Sequence, residues 1–167
     1  MFAAPALLSI YPDARFVQIH RDPIEAVASV SSLVTILRRV FSDAVDPVQI
    51  GRDALTYWAQ ALKTFMHARD QLSPQRVCDL RYDDVRRDPV AAARQVYQHF
   101  GWPFSAEIEK RMGATLAEQA SQTNGVHRYD PTHFKLDGMN GFADYCERFG
   151  FSTAASSEDE ERAAAAA

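Results

Sequence analysis

Arg15-Phe-Val-Gln-Ile-His-Arg-Asp-Pro-Ile-Glu-Ala-Val-Ala-Ser29 is the stretch on which the fold turns. It reads as a short buried strand, with Phe16, Val17 and Ile19 as its apolar residues, that passes directly into a helix. Asp22 is suited to the N-cap, because its carboxylate accepts from free N–H groups, and Pro23 to the first helical position, where no N–H is needed. Arg21 then stands at the carboxyl end of a strand and beside the partly positive start of a helix. Ser29 follows eight residues later, on the second turn of that helix. In a parallel α/β sheet, anions bind in the crevice outside the strand ends. An Arg fork and a Ser hydroxyl together can hold several oxygens of a phosphate monoester. The plain alternative makes Arg21 a surface ion-pair partner and Ser29 a helix filler.

Working outward, four Asp-Pro pairs punctuate the chain: Asp22-Pro23, Asp46-Pro47, Asp88-Pro89 and Asp130-Pro131. Each offers an N-cap followed by a first helical residue. Apolar residues at 3/4 spacing predict helices from Pro23 to about Val40, from Pro47 to about Arg69, and from Pro89 to Phe100. Gly101 stops the last of these as a C′ glycine would. Ser105 caps a further helix through Ile108, Met112 and Leu116, and another runs from Met139 to Phe149, ended by Gly150. Two strands are predicted, Arg15 to Ile19 and Arg76 to Leu80. Each follows a helix and precedes one, so the pair should be parallel. Two strands make a marginal sheet, and the expected exposed edge invites a covering chain, a second copy or a different partner.

The Arg-x₇-Ser element resembles the 3′-phosphate-binding motif of sulfotransferases that use 3′-phosphoadenosine 5′-phosphosulfate (PAPS). Tyr11-Pro-Asp-Ala-Arg-Phe-Val-Gln-Ile-His-Arg-Asp-Pro23 is similar to the bacterial branch of that family. So are Val77-Cys-Asp-Leu-Arg-Tyr-Asp-Asp-Val-Arg-Arg-Asp-Pro89, His99-Phe-Gly-Trp-Pro103, Gly125-Val-His-Arg-Tyr129 and Phe142-Ala-Asp-Tyr145. The resemblance implies a helix-rich α/β fold, a P-loop-kinase-like parallel sheet with flanking helices. It also implies sulfuryl transfer from PAPS to a hydroxyl or amine of a small-molecule acceptor, with the product PAP left behind. By the same resemblance the nucleotide contacts are Arg21, Ser29, Tyr82 on the adenine side, and His127 and Arg128 over the 3′-phosphate.

One family element has no counterpart here: the Lys-containing loop that holds the 5′-phosphosulfate. The first lysine is Lys63, and Phe2 to Ile10 resembles the helix that follows such a loop. The expected domain is therefore a partial one, residues 1–151, truncated at its amino terminus. No catalytic residue is assigned. An alternative function is an inactive nucleotide-binding or protein-interaction module.

Other candidates have simpler readings. His20 neighbours Arg21, but adjacent strand residues face opposite ways, so it is expected to pack at the sheet's edge. Asp79, Asp83, Asp84 and Asp88 are interleaved with Arg76, Arg81, Arg86 and Arg87, which suggests mutual charge compensation. The histidines and Cys78 and Cys146 lack metal-ligand spacing, and the cysteines are expected to be reduced thiols.

The composition is that of an ordinary soluble globular chain: 167 residues, 47% hydrophobic and 24% charged. A net charge of −4 argues against a nucleic-acid binder held by phosphate contacts. No apolar run approaches the roughly 20 residues that span a bilayer, and Met1 to Ile10 lacks the charged start of a signal peptide. A cytoplasmic protein is expected. The segment 152–167, Ser/Glu-rich and ending in five alanines, has little to bury and is expected to be a disordered tail or a frayed helix.

Overall fold

The computed structural model describes residues 3–120, 130–136 and 139–152. The chain is helix-rich α/β. Its elements are α1 (Ala4–Ile10), β1 (Phe16–His20), α2 (Pro23–Arg39), α3 (Pro47–Arg69), β2 (Val77–Arg81), α4 (Tyr82–Arg87), α5 (Pro89–His99), α6 (Ala106–Ala120) and α7 (Ala143–Phe149). Short 3₁₀ turns at Pro74–Arg76, Pro131–Phe134 and Met139–Phe142 complete the order. The aspartate of every Asp-Pro pair caps the element that follows it. Asp22 accepts from the N–H groups of Ile24 and Glu25, Asp46 from Val48 and Gln49, Asp88 from Ala91, and Asp130 from Thr132. Gly101 and Gly150 take left-handed φ values of 69° and 66°, which cost glycine nothing and end α5 and α7.

The described residues fall into two compact units. The first holds residues up to Arg21 and from Ala61 to Tyr129; the second holds Asp22 to Gln60 and the residues from Asp130 onward.

The first unit is built on the sheet. β1 and β2 pair in parallel, with Phe16 opposite Val77 and His20 opposite Arg81. Both strands lie one residue further along than the sequence suggests. On one face Cys78 and Leu80 pack with Ala92 and Phe100, supported by Val85 and Val96 of α4 and α5. Arg15 donates to the Phe100 carbonyl at 3.1 Å, and Arg76 donates to the Ala14 carbonyl at 2.7 Å, which ties the entry of each strand.

The burial of β1 overturns an expectation. Val17 and Ile19 are 46% and 50% exposed, whereas Gln18 and His20 are 6% and 2% exposed. The reason is strand periodicity: Phe16, Gln18 and His20 share one face, and Phe16 meets Phe65 of α3 there. Val17 and Ile19 lie on the other face, whose buried residues come from β2.

In the second unit, Gly51 of α3 is buried close to the Pro131–Phe134 turn, where a Cβ would fall 2.5 Å from the Phe134 carbonyl oxygen. Ile50, Phe134, Phe142, Tyr145 and Cys146 are buried there. α2 is turned unusually: Ala28, Ser31, Ser32 and Thr35 are buried, while Leu33, Ile36 and Leu37, with Val40 and Phe41 in the turn just after the helix, are exposed, Phe41 at 90%. Those five follow 3/4 spacing and form one open apolar stripe. Cys78 and Cys146 are buried free thiols, and burial pushes the pKa of each upward.

Candidate functional site

Parallel register decides what meets at the carboxyl end of the sheet. His20 is opposite Arg81, so the next residues, Arg21 and Tyr82, leave their strands side by side. Their side chains meet there. The Arg21 guanidinium lies 4.6 Å from the centre of the Tyr82 ring, and that of Arg86 lies 5.9 Å from the same ring. Tyr82 opens α4, one turn ahead of Arg86, which brings the second arginine back over the ring. A cation held over an aromatic face costs less of its hydration than one buried in hydrocarbon. The arrangement can therefore offer positive charge and a flat aromatic surface at one place.

Asp22 follows Arg21 and fills the start of α2, its carboxylate 2.8 Å from the Ile24 nitrogen and 3.2 Å from that of Glu25. Any anion contact along this segment therefore falls to side chains and not to those two amides. Ser29 belongs to the second unit, half-buried on the second turn of α2. His127 and Arg128 lie outside the described residues. The structure thus brings Arg21 and Tyr82 together and describes Ser29 in its own unit.

A second cluster lies behind Arg21, on the β1 face that carries Gln18 and His20. Arg69, the last residue of α3, donates to both oxygens of Asp79 and to the side-chain oxygen of Gln18, each at 2.6 Å. His20 Nε2 stands 2.8 Å from Asp79 Oδ1. A carboxylate only accepts, so Nε2 carries the proton. Burial holds the His20 pKa below its usual 6.5 despite the pull of Asp79. Burial pushes Asp79 upward, but the hydrogen bonds from Arg69 and His20 outweigh it and leave the carboxyl below 3.8. The pair is a neutral imidazole donating to a carboxylate.

The reading of the acidic run holds for Asp84, which pairs with Arg87, and is corrected for Asp79, whose charged partner is Arg69, ten residues upstream on another element, while Arg76 serves a carbonyl. Arg69 ends an apolar helical pattern, and no local feature of the sequence marks it. Among the described residues, no group of three or more His, Cys, Asp or Glu is gathered as a metal requires, and no helix is long and apolar enough to cross a membrane.

The sequence profile of the sulfotransferase family matches residues 1–106. Over 102 residues the chain is 30% identical to Stf3, the omega-hydroxy-beta-dihydromenaquinone-9 sulfotransferase of Mycobacterium bovis and of Mycobacterium tuberculosis. That match takes in 60% of this chain and 26% of theirs. The chain thus spans about a quarter of the length of the curated relatives it matches. Among solved structures, sulfotransferase STF9 from Mycobacterium avium aligns with a TM-score of 0.77 at 26% identity. The alignment covers 90% of this chain and 40% of that one. Sulfotransferase STF1 from Mycobacterium tuberculosis aligns at 0.66 and 29%, covering 86% and 36%. These neighbours share the P-loop-kinase-like fold, of which β1, β2 and their helices are a part. A strand-Arg-Asp-Pro-helix unit and a second parallel strand ending in Arg-Tyr are elements of that fold here, and the chain belongs to the sulfotransferase family.

Proposed function

We propose that this chain binds PAPS and PAP through the 3′-phosphate and the adenine, as part of a sulfotransferase that moves a sulfuryl group to an acceptor hydroxyl. The observation that carries the reading is the Arg21 guanidinium held on the Tyr82 ring at the carboxyl ends of two parallel strands. Arg21 supplies the charge and donors for the phosphate, Tyr82 a face for the base, and Ser29 a hydroxyl from the second turn of α2. By the family resemblance, His127 and Arg128, which lie outside the described residues, are the further candidates for that phosphate. In the transfer, the bond from sulfur to the phosphate oxygen breaks and releases PAP as the bond to the acceptor oxygen forms, and the acceptor's proton passes to solvent water. Such chemistry rests on positioning and on stabilising spread negative charge.

The acceptor class follows from two supports. The curated relatives are named for a hydroxylated menaquinone, and α2 carries Ser29 on the same face as its open stripe, with Leu33 one turn and Leu37 two turns further on. A hydroxyl on a long hydrocarbon molecule fits both.

Calorimetric titration with PAP in buffer free of phosphate and sulfate tests the nucleotide reading. The expected result is saturable binding in the micromolar range, weakened by Arg21→Ala. A folded chain that takes up no PAP overturns it in favour of a module for protein contacts.

A further inference from the structure

Two parallel strands of five residues each have few means of fixing how far one slides along the other; at their entry the Arg76 contact to the Ala14 carbonyl is one, and it lies at the end of the sheet away from Arg21 and Tyr82. Ladder hydrogen bonds re-form after a shift of two residues, and such a shift leaves every side chain on its original face. Apolar contacts such as Phe16 with Phe65 carry no fixed donor direction. The polar cluster behind the site does. Asp79 is the register partner of Gln18, and one Arg69 guanidinium reaches both strands at once, to Gln18 Oε1 and to the two oxygens of Asp79, each at 2.6 Å. His20 adds a diagonal tie, Nε2 to Asp79 Oδ1 at 2.8 Å. A planar fork with fixed donor directions is satisfied only when Gln18 and Asp79 are opposite each other.

The same count runs onward to the site. Arg21 lies three residues after Gln18, and Tyr82 three residues after Asp79. Whatever fixes the first pair fixes the second. Gln18 and His20 are almost wholly buried, a placement that burial of apolar side chains would stabilise equally well. What the polar set adds is uniqueness of register.

We propose that Arg69, Gln18, His20 and Asp79 form a positioning network that sets the β1–β2 register and so holds Arg21 against Tyr82 for the nucleotide. The residues act through Arg21 and Tyr82 and touch no substrate themselves. The nucleotide part of this inference rests on the proposed function; the register part does not.

Each part has its own readout. In protein labelled with ¹⁵N-arginine, the Arg21 side-chain protons are shifted upfield by the Tyr82 ring 4.6 Å away, and Tyr82→Leu measures the size of that shift. Asp79→Asn should remove most of it in a chain still folded by circular dichroism. Gln18→Leu, which replaces a buried amide by a hydrocarbon of similar volume, should do the same if Asp79→Asn does not fold. An Arg21 shift unchanged in either folded variant overturns the network, whether or not PAP binds. The second readout is a double-mutant cycle on PAP affinity. Asp79→Asn should weaken binding by roughly tenfold, and adding Arg21→Ala should then cost far less than it does in the parent. A full and independent Arg21→Ala loss in the Asp79→Asn background overturns the positioning role and leaves only a structural one. Absence of PAP binding by the parent protein overturns the nucleotide reading alone, and the Arg21 shift still decides the register.

Discussion

The proposed function gives Arg21 two tasks, to meet an anion and to keep its place. Its position over the Tyr82 ring serves the second. Arg21→Ala is expected to weaken PAP binding by about 2–3 kcal/mol, the worth of a charge-assisted contact; a calorimetric Kd equal to the parent's would remove Arg21 from the site. Ser31 is the opposite case. It is fully buried on α2, and its hydroxyl oxygen has no hydrogen-bond partner among the described residues. Ser31→Ala should raise stability by roughly 1 kcal/mol, read from the urea midpoint, because it deletes a desolvated group that makes no return contact. Arg21 and Tyr82 can be singled out in the sequence because each directly follows a strand and that strand is visible. Arg69 cannot, since its importance lies in reaching Gln18 and Asp79 from the end of a helix that looks like any amphipathic helix.

At the level of elements, caps and periodicity carry most of what sequence reveals. The Asp-Pro pairs mark α2, α3 and α5 at their first residues, and the strands fall within one residue of their predicted limits. α4 escapes notice because Tyr82 to Arg87 is six residues of mostly charged sequence with no apolar period. Asp88 both closes α4 and caps α5, accepting from Ala91 at 2.9 Å. Asp88→Ala should cost about 1 kcal/mol in chemical denaturation. The faces of β1 are a different matter. Phe-Val-Gln-Ile-His suggests a packed His20 but contains no hint that Gln18 points inward with it, because the groups that receive the pair come from α3 and β2. That inward pair also makes stability depend on pH. The His20 pKa is lowered on folding, with Asp79 and Arg81 of β2 and Arg69 of α3 around it. Its contribution is complete above pH 6.5 and is lost as the pH falls from there toward the folded-state value. Asp79 acts in the same sense further down, its contribution present above 3.8 and lost below. Urea midpoints measured at about pH 7.5 and about pH 5.5 should fall for the parent and fall less for His20→Gln; equal drops would mean that His20 does not titrate on unfolding.

For the molecule as a whole, the uneven cover of the sheet matters most. α5 lies over Cys78 and Leu80, while Val17 and Ile19 on the neighbouring strand remain about half exposed, and among the described residues β1 pairs with β2 alone. An apolar strand with an unpaired side attracts another chain. Concentration-dependent association is therefore expected in sedimentation velocity, and it should weaken when Val17 and Ile19 are both changed to Thr. A chain that stays monomeric at every concentration would argue that this face needs no cover. Composition and length reveal none of this, because they count apolar residues without saying which ones find a neighbour. α2 carries the same lesson into mutational space. On an ordinary surface helix, a deep mutational scan finds the apolar positions intolerant and the serines free. Here Leu33, Ile36, Leu37, Val40 and Phe41 stand open, and Ala28, Ser31, Ser32 and Thr35 are enclosed. Scored for folding alone, the scan should come out inverted, with glutamate accepted at Leu37 and leucine refused at Ala28. A screen for acceptor binding is where the role proposed for the stripe would show.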